Sequence, residues 1–447
     1  MIAFILAIGI FFTIRLKGIQ IIKLPLAVKH MFPKDKAGQA GEVSSFGALC
    51  MVLSATIGTG SIVGVATALV AGGPGALFWM WISALFGTAT MYAECLLSIK
   101  YRKVGANGHV LGGPFYYIEH GMGTKYKWLA KMFAFFGAGA GLLGIGTFAQ
   151  VSGITGAVND FFDPYNVYSI ELFGTEYSWS VIISGIVISV CAGLVLIGGV
   201  KRISTVAQMI VPFMTILYVG AIVLILVTNA KQIPDVFVEI IESAFGLRAA
   251  AGGALGAMIV AMQKGVARGI FSNEAGLGSA PIAAASVKTD EPVEQGLVSM
   301  MGTVIDTLVI CTMTGFAILL TDTWNIGLDG VSVTTKAFQI GLPFSADVGA
   351  FILMISLVFF AFSSILGWNY YSERCVEYLV GDRPRIIKGF RWIYILAVFI
   401  GPFMTVSAVW TLADIFNGLM AFPNLIALCA LSEVVIVETK KYFGCKP

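Results

Sequence analysis

Apolar runs of about 20 residues recur along the whole 447-residue chain, separated by short stretches that hold most of its Lys and Arg. A helix needs about 20 mostly apolar residues to cross a bilayer. Eleven runs meet or approach that length: 1–16, 44–70, 76–99, 130–157, 179–199, 204–228, 238–266, 296–321, 347–372, 391–411 and 413–437. The longest stretches between them are 17–43, 100–129, 158–178, 267–295 and 322–346, none of which has room for a soluble domain of any size. Arg15 and Lys17 follow the first run rather than precede it, so it lacks the pattern of a secretory signal.

The basic residues orient these runs. With the N-terminus outside, the cytoplasmic loops and the C-terminal tail hold 25 of the 28 Lys and Arg, leaving only Lys231, Arg248 and Lys336 outside. The 158–178 loop agrees, with Asp160, Asp163, Glu171 and Glu176 and no basic residue. The expected product is an all-α polytopic membrane protein of the cell membrane.

Composition narrows the classes further. Soluble domains carry about 25% charged residues; here the figure is 12%, with 57% hydrophobic. A net charge of +3 gives no electrostatic footprint for nucleic acid. His30, His109 and His120 all fall in connecting stretches, so the spans hold no His cluster for a metal and no His-based catalytic constellation. An intramembrane enzyme is therefore not expected. The seven cysteines form no CxxC pair and read as small apolar side chains. No GxxxxGK[ST] loop is present to couple ATP, and no cofactor is implied. A channel would show a polar stripe along several helices; here the polar residues gather at a few places.

Two of those places predict interrupted helices. Ser54-Ala55-Thr56-Ile57-Gly58-Thr59-Gly60-Ser61 puts weak helix formers and four hydroxyls in the middle of the second run. Ala251-Gly252-Gly253-Ala254-Leu255-Gly256 does much the same in the seventh. Gly-rich faces also serve close helix packing, but backbone freed at bilayer depth is tolerated only where it lines a cavity or is buried in protein. Each suspected break opens a set of five runs, which predicts two inverted repeats over 44–229 and 230–447, preceded by one extra helix and a loop over 1–43. At such a break the second half-helix presents free N–H groups and partial positive charge, and the first half-helix ends in free carbonyls. A zwitterion fits this pair of ends. Candidate substrate-binding residues are Thr56, Thr59 and Gly60 at the first break, Gly252, Gly253 and Ala254 at the second, and Gln150 in the fourth run.

Several stretches then resemble the alanine/glycine:cation symporter family: Gly72 to Gly87 (GGPGALFWMWISALFG), Gly112 to Glu119 (GGPFYYIE), Arg268 to Pro281 (RGIFSNEAGLGSAP) and Gly367 to Tyr371 (GWNYY). The resemblance implies the leucine-transporter fold and uptake of alanine or glycine coupled to sodium. The alternative is proton-coupled transport of another small neutral amino acid. It also implies a sodium site made by the carbonyls of Ser54, Ile57 and Phe360 and the hydroxyls of Ser363 and Ser364. The fold's second sodium site would fall near Ser61, Ala250 and Asp306; Ala250 supplies no side-chain oxygen, so one bound sodium is expected.

Other polar residues in the runs carry weaker expectations. Asp306 is a functional candidate because carboxylates are rare at that depth, a bond to a neighbouring helix being the plain alternative. Glu94 is expected to pair with Lys100 or Arg102. Trp79, Trp81 and Trp410 are expected to anchor helix ends at the bilayer interface.

Overall fold

A computed structural model describes residues 1–31, 41–104, 110–172, 175–246, 253–381 and 383–444. The short helix α1 (Ile2–Arg15) is followed by α2 (Ser45–Thr56), a π-turn at Gly60–Gly64, α3 (Val65–Gly72) and the long α4 (Gly75–Lys100). Then come α5 (Lys127–Leu143), α6 (Phe148–Phe162), α7 (Trp179–Leu196) and α8 (Gly199–Thr228). The second half contains α9 (Ile233–Ala244), α10 (Ala254–Asn273), α11 (Ala280–Ala284), α12 (Pro292–Thr303), α13 (Thr312–Leu320), α14 (Val331–Gly341), α15 (Ala346–Val380), α16 (Pro384–Ile400), α17 (Val406–Ala430) and α18 (Ser432–Tyr442). Two small antiparallel hairpins, Lys103–Val104 with Val110–Leu111 and Ser169–Leu172 with Thr175–Ser178, lie in connections. Among the described residues nine helices are long and apolar enough to cross a membrane, or ten when α2 and the bent stretch after it count as one.

The first predicted break is present: Phe46–Thr56 and Gly60–Gly72 meet at 48°. Ile57 turns to extended backbone at ψ 96°, which ends α2. Ser44 starts that helix by accepting the Gly47 N–H at 3.1 Å, an ordinary N-cap.

The seventh run is resolved differently from its reading as one interrupted span. Residues 238–244 belong to α9, a surface helix at the Gly75 end of α4, where Ser243 Oγ accepts the Gly75 N–H at 3.0 Å and Trp79 Nε1 donates to the Ala244 carbonyl at 3.2 Å. The crossing helix is α10. It runs alongside α4 so closely that a Cβ on Gly265 would stand 2.2 Å from the Ala76 carbonyl oxygen, and one on Gly269 2.4 Å from Ser83 Oγ. The interruption follows it, at residues 274–279. There Glu274 adopts the left-handed region at φ +59°, as do Gly276 and Gly278 at +87° and +81°. α11 resumes beyond it beside the far end of α4, with Ser98 Oγ donating to the Pro281 carbonyl at 2.5 Å.

This register moves two charges. A Cβ on Gly72 would lie 3.1 Å from Lys264 Cβ, so Lys264 and Arg268 stand toward the Gly75 end of α4, away from the Lys100 end where the loop assignment put them. The last two runs shift as well: α16 ends at Ile400, α17 covers Val406–Ala430, and α18 is a separate terminal helix.

Candidate functional site

The site forms where the break after α2 meets α15. Ser364 Oγ donates toward the carbonyls of Ser54 (2.9 Å), Ile57 (3.2 Å) and Phe360 (3.2 Å). Ser363 Oγ approaches the same Ser54 and Phe360 carbonyls at 3.3 and 2.9 Å. Two hydroxyls and three carbonyls thus converge, all buried. The break frees the Ser54 and Ile57 carbonyls from their helix, and α15 answers them with its serine pair, as backbone at this depth requires. The donor set is all neutral oxygen, suited to a hard monovalent cation rather than to a metal that needs His or Cys.

On the other side of the break, Gln150 of α6 reaches in. Its Oε1 accepts the Thr59 N–H at 3.0 Å, and its Nε2 donates to the Ile145 carbonyl at 2.8 Å. The Thr59 amide, expected to be free for a carboxylate, is therefore occupied by a side-chain carbonyl. The Thr59 hydroxyl is buried with no hydrogen-bond partner among the described residues. Thr56 Oγ1 is turned back to the Val52 carbonyl of its own helix at 2.7 Å. Gly58 and Gly60 are needed for close approach: a Cβ on Gly58 would stand 2.4 Å from Ser364 Oγ, and one on Gly60 3.1 Å from both the Phe271 ring and the Ser272 Cα.

The second-break candidates do not join this cluster. Ala254 opens α10 and Gly253 precedes it as an exposed residue, near the α9 end of the bundle; Gly252 lies outside the described residues. The α10 residues that lie against the first break are Phe271 and Ser272, at the C-terminal end of that helix. These were readable in the sequence only as part of a longer motif.

Ser272 also changes the neighbourhood of Asp306. The Asp306 carboxylate accepts hydrogen bonds from Ser61 (2.5 Å), Ser272 (2.7 Å) and Thr307 (2.8 Å), and Ser61 and Ser272 are 3.2 Å apart. It joins the segment after the first break, the end of α10 and its own π-turn. No Lys or Arg among the described residues pairs with it. The expectation of a single cation rested on Ala250, which lies outside the described residues; the hydroxyl beside Ser61 and Asp306 is that of Ser272.

Other expectations are corrected. Glu94 is fully buried and accepts from Asn424 Nδ2 at 2.5 Å, while Lys100 pairs with Glu438 at 2.6 Å and Arg102 donates to the carbonyls of Ala285 (2.8 Å) and Val287 (2.6 Å). Trp81 donates to Thr312 Oγ1 at 2.8 Å, and Trp410 packs on Phe271 with ring centroids 4.8 Å apart.

The site is covered from both ends. Toward the Gly75 end, Phe271 lies over Gly60 and Trp410 lies on Phe271. The Arg268 guanidinium stacks 4.4 Å from the Trp410 ring centroid and reaches Asp414 at 3.2 Å. Toward the Lys100 end, Glu42 pairs with Arg374 at 3.1 Å, and Val43 forms a parallel bridge to Val287 just beyond α11. Polar backbone at an interrupted helix is thus buried, with separate contacts on either side of it.

The sodium:alanine symporter family profile matches residues 1–446. The chain belongs to that family. It is 45% identical over 458 residues to a protein of Methanococcus maripaludis named sodium/alanine symporter AgcS, covering 99% of this chain and 94% of that one. It is 37% identical to a probable sodium/glutamine symporter, GlnT, of Bacillus subtilis, over 99% of this chain and 87% of that protein. It is also 37% identical to a putative sodium/proton-dependent alanine carrier, YrbD, of the same organism, over 98% and 88%. This member of the sodium:alanine symporter family is a multi-pass membrane transporter and not an enzyme.

Proposed function

We propose that this symporter takes up alanine, and glycine as a smaller substrate, together with sodium, with its N-terminus outside and its C-terminus in the cytoplasm. The observation that carries the reading is the set of five neutral oxygens from Ser54, Ile57, Phe360, Ser363 and Ser364 at one helix break. Sodium would be held there between α2 and α15. The amino acid would lie beside it, its carboxylate toward the amides of Thr59 and Gly60 with Gln150 yielding its place, and the unpartnered Thr59 hydroxyl within reach. Two five-helix sets over 44–229 and 230–447, each opened by an interrupted helix, support an inverted repeat of the leucine-transporter kind, with the second break at 274–279. Phe271 and Trp410 restrict the side chain, which favours alanine over glutamine and leucine.

Uptake of labelled alanine into phosphatidylcholine proteoliposomes tests this. An inward sodium gradient should drive accumulation, and replacing it with potassium should abolish it. An inward proton gradient without sodium should not substitute. If protons suffice, the coupling belongs to Asp306, the buried carboxylate among hydroxyls, and the five-oxygen site is not the coupling site.

The cover at the Gly75 end makes a second expectation. A desolvated cation–π contact is worth up to about 2 kcal/mol, and an exposed ion pair at most about 1 kcal/mol. The Arg268 side chain is 15% exposed and that of Asp414 50%. Arg268→Ala should therefore speed alanine release from the purified protein about five- to thirtyfold, and Asp414→Asn by less than about fivefold. Equal effects of the two, measured by stopped-flow release, would show that the ion pair rather than the ring stack closes this end.

A further inference from the structure

With the Lys100 end at the cytoplasm, as proposed above, that face holds a cavity of about 780 Å³. Four separate parts of the chain wall it: the segment entering α2, the turn between α7 and α8, the segment leaving α11, and the facing ends of α15 and α16. Its charges are unevenly satisfied. Arg374 is held by Glu42 and Glu377, at 3.1 and 2.6 Å, and Arg391 by Glu373 through two bonds of 2.5 and 2.6 Å. The three acidic residues of the wall are thus committed to its two arginines. Lys201, Lys288 and Lys388 also line it, and none has a carboxylate within ion-pair distance among the described residues. Three lysines from three different segments thus line one concave space, together with the Gly198–Gly199 turn.

We infer that this cavity binds a phosphate group, and that the phosphate belongs to an anionic phospholipid. Basic pockets between helices on the cytoplasmic side suit such headgroups. The surfaces next to the cavity favour a lipid over a soluble phosphate. Leu194 and Ile197 at the end of α7 are 58% and 56% exposed, and Trp392 and Ile393 in α16 are 62% and 54% exposed. These two helices pack together, so acyl chains have apolar surface beside the headgroup site. Ile387 and Pro384 of the cavity wall continue that surface inward.

The position gives the site a consequence. Lys288 follows the residues that bond the segment before α2: Glu42 N–H donates to the Ser286 carbonyl at 2.8 Å, and Lys288 N–H to the Val43 carbonyl at 3.1 Å. Lys201 and Lys388 belong to α8 and α16. A phosphate shared by all three ties the cytoplasmic ends of the two interrupted helices to α8 and α16, and so holds that end closed.

The test uses the purified full-length protein in detergent and in liposomes. The probes are dioctanoyl-phosphatidylglycerol, dioctanoyl-phosphatidylcholine and inorganic phosphate, and the variant is Lys201→Gln/Lys288→Gln/Lys388→Gln. Phosphatidylglycerol should raise the thermal midpoint of the wild type by several degrees, and phosphatidylcholine should not. The triple variant should bind phosphatidylglycerol at least tenfold more weakly. It should retain sodium-driven uptake in pure phosphatidylcholine liposomes, which shows that it is folded and that the transport reading stands independently. An equal shift from inorganic phosphate at the same concentration would assign the cavity to a soluble phosphate and overturn the lipid. Unchanged phosphatidylglycerol binding by the triple variant would overturn the site itself.

Discussion

Gly60→Val should abolish sodium-driven alanine uptake while leaving the protein folded in the membrane. The first added carbon already has no free place: it would stand 3.1 Å from a Phe271 ring carbon and 3.1 Å from the Ser272 Cα. The ring could turn, but the Ser272 backbone is fixed, because the Ser272 hydroxyl is bonded to Asp306 at 2.7 Å. The two γ-carbons of valine then extend further into the same gap. In the proposed placement, that gap is where the start of the second half-helix meets the ligand. Overpacking of a close-packed interior typically costs about 1–3 kcal/mol, which the fold tolerates, but the bulk lies in the substrate's position. Alanine binding by the purified variant should fall at least a hundredfold, against retained sodium-dependent thermal stabilisation. Gly60→Ala is the graded control, with loss of affinity about tenfold or less. Wild-type binding by Gly60→Val would place the substrate elsewhere than at this break.

The first break was legible because its residues are conspicuous against an apolar run. Ser54, Thr56, Gly58, Thr59, Gly60 and Ser61 interrupt a stretch otherwise rich in Ala, Leu, Ile and Val, and both helix propensity and hydrogen-bonding demand point to the same eight positions. Gly253 and Gly256 are just as conspicuous and lie around the start of α10, while Gly252 lies outside the described residues. The interruption after α10, Glu274 to Ser279, is hidden by charge. Lys264, Arg268 and Glu274 lower the hydropathy enough to read as a loop. In the structure Lys264 is exposed, while Arg268 and Glu274 find partners within the protein. Arg268 lies on Trp410, and Glu274 accepts from Trp368 Nε1 at 2.8 Å and Ser279 Oγ at 2.5 Å. Buried polar groups are tolerated when they are hydrogen-bonded, and Trp368 and Trp410, more than 90 residues away, leave no trace in a local window. Gln150 was visible as a polar residue in an apolar run. That it caps the Thr59 amide could not be read, because this depends on the approach of α6 to the break.

Ser363→Ala combined with Ser364→Ala should raise the sodium concentration for half-maximal uptake by about tenfold to a hundredfold. Each hydroxyl is one of five oxygens at the break, and an interaction with a charged group is worth about 1.5–3 kcal/mol; a tenfold change is about 1.4 kcal/mol. The neighbouring carbonyls of Ser54, Ile57 and Phe360 remain and keep part of the site, so the effect falls short of the two losses summed. The same hydroxyls also satisfy those carbonyls, so their loss could loosen the break itself. Two observations separate the causes. Ser363→Thr keeps the oxygen on the same helix and should shift sodium dependence much less than Ser363→Ala. In the double alanine variant, alanine affinity at saturating sodium should stay within about threefold of wild type, because the amino acid meets the other half-helix and Gln150. A loosened break would lower alanine affinity at every sodium concentration. Sodium dependence identical to wild type in the double variant would remove the cation from the α2–α15 contact and leave Asp306, with Ser61 and Ser272 around it, as the place where coupling occurs.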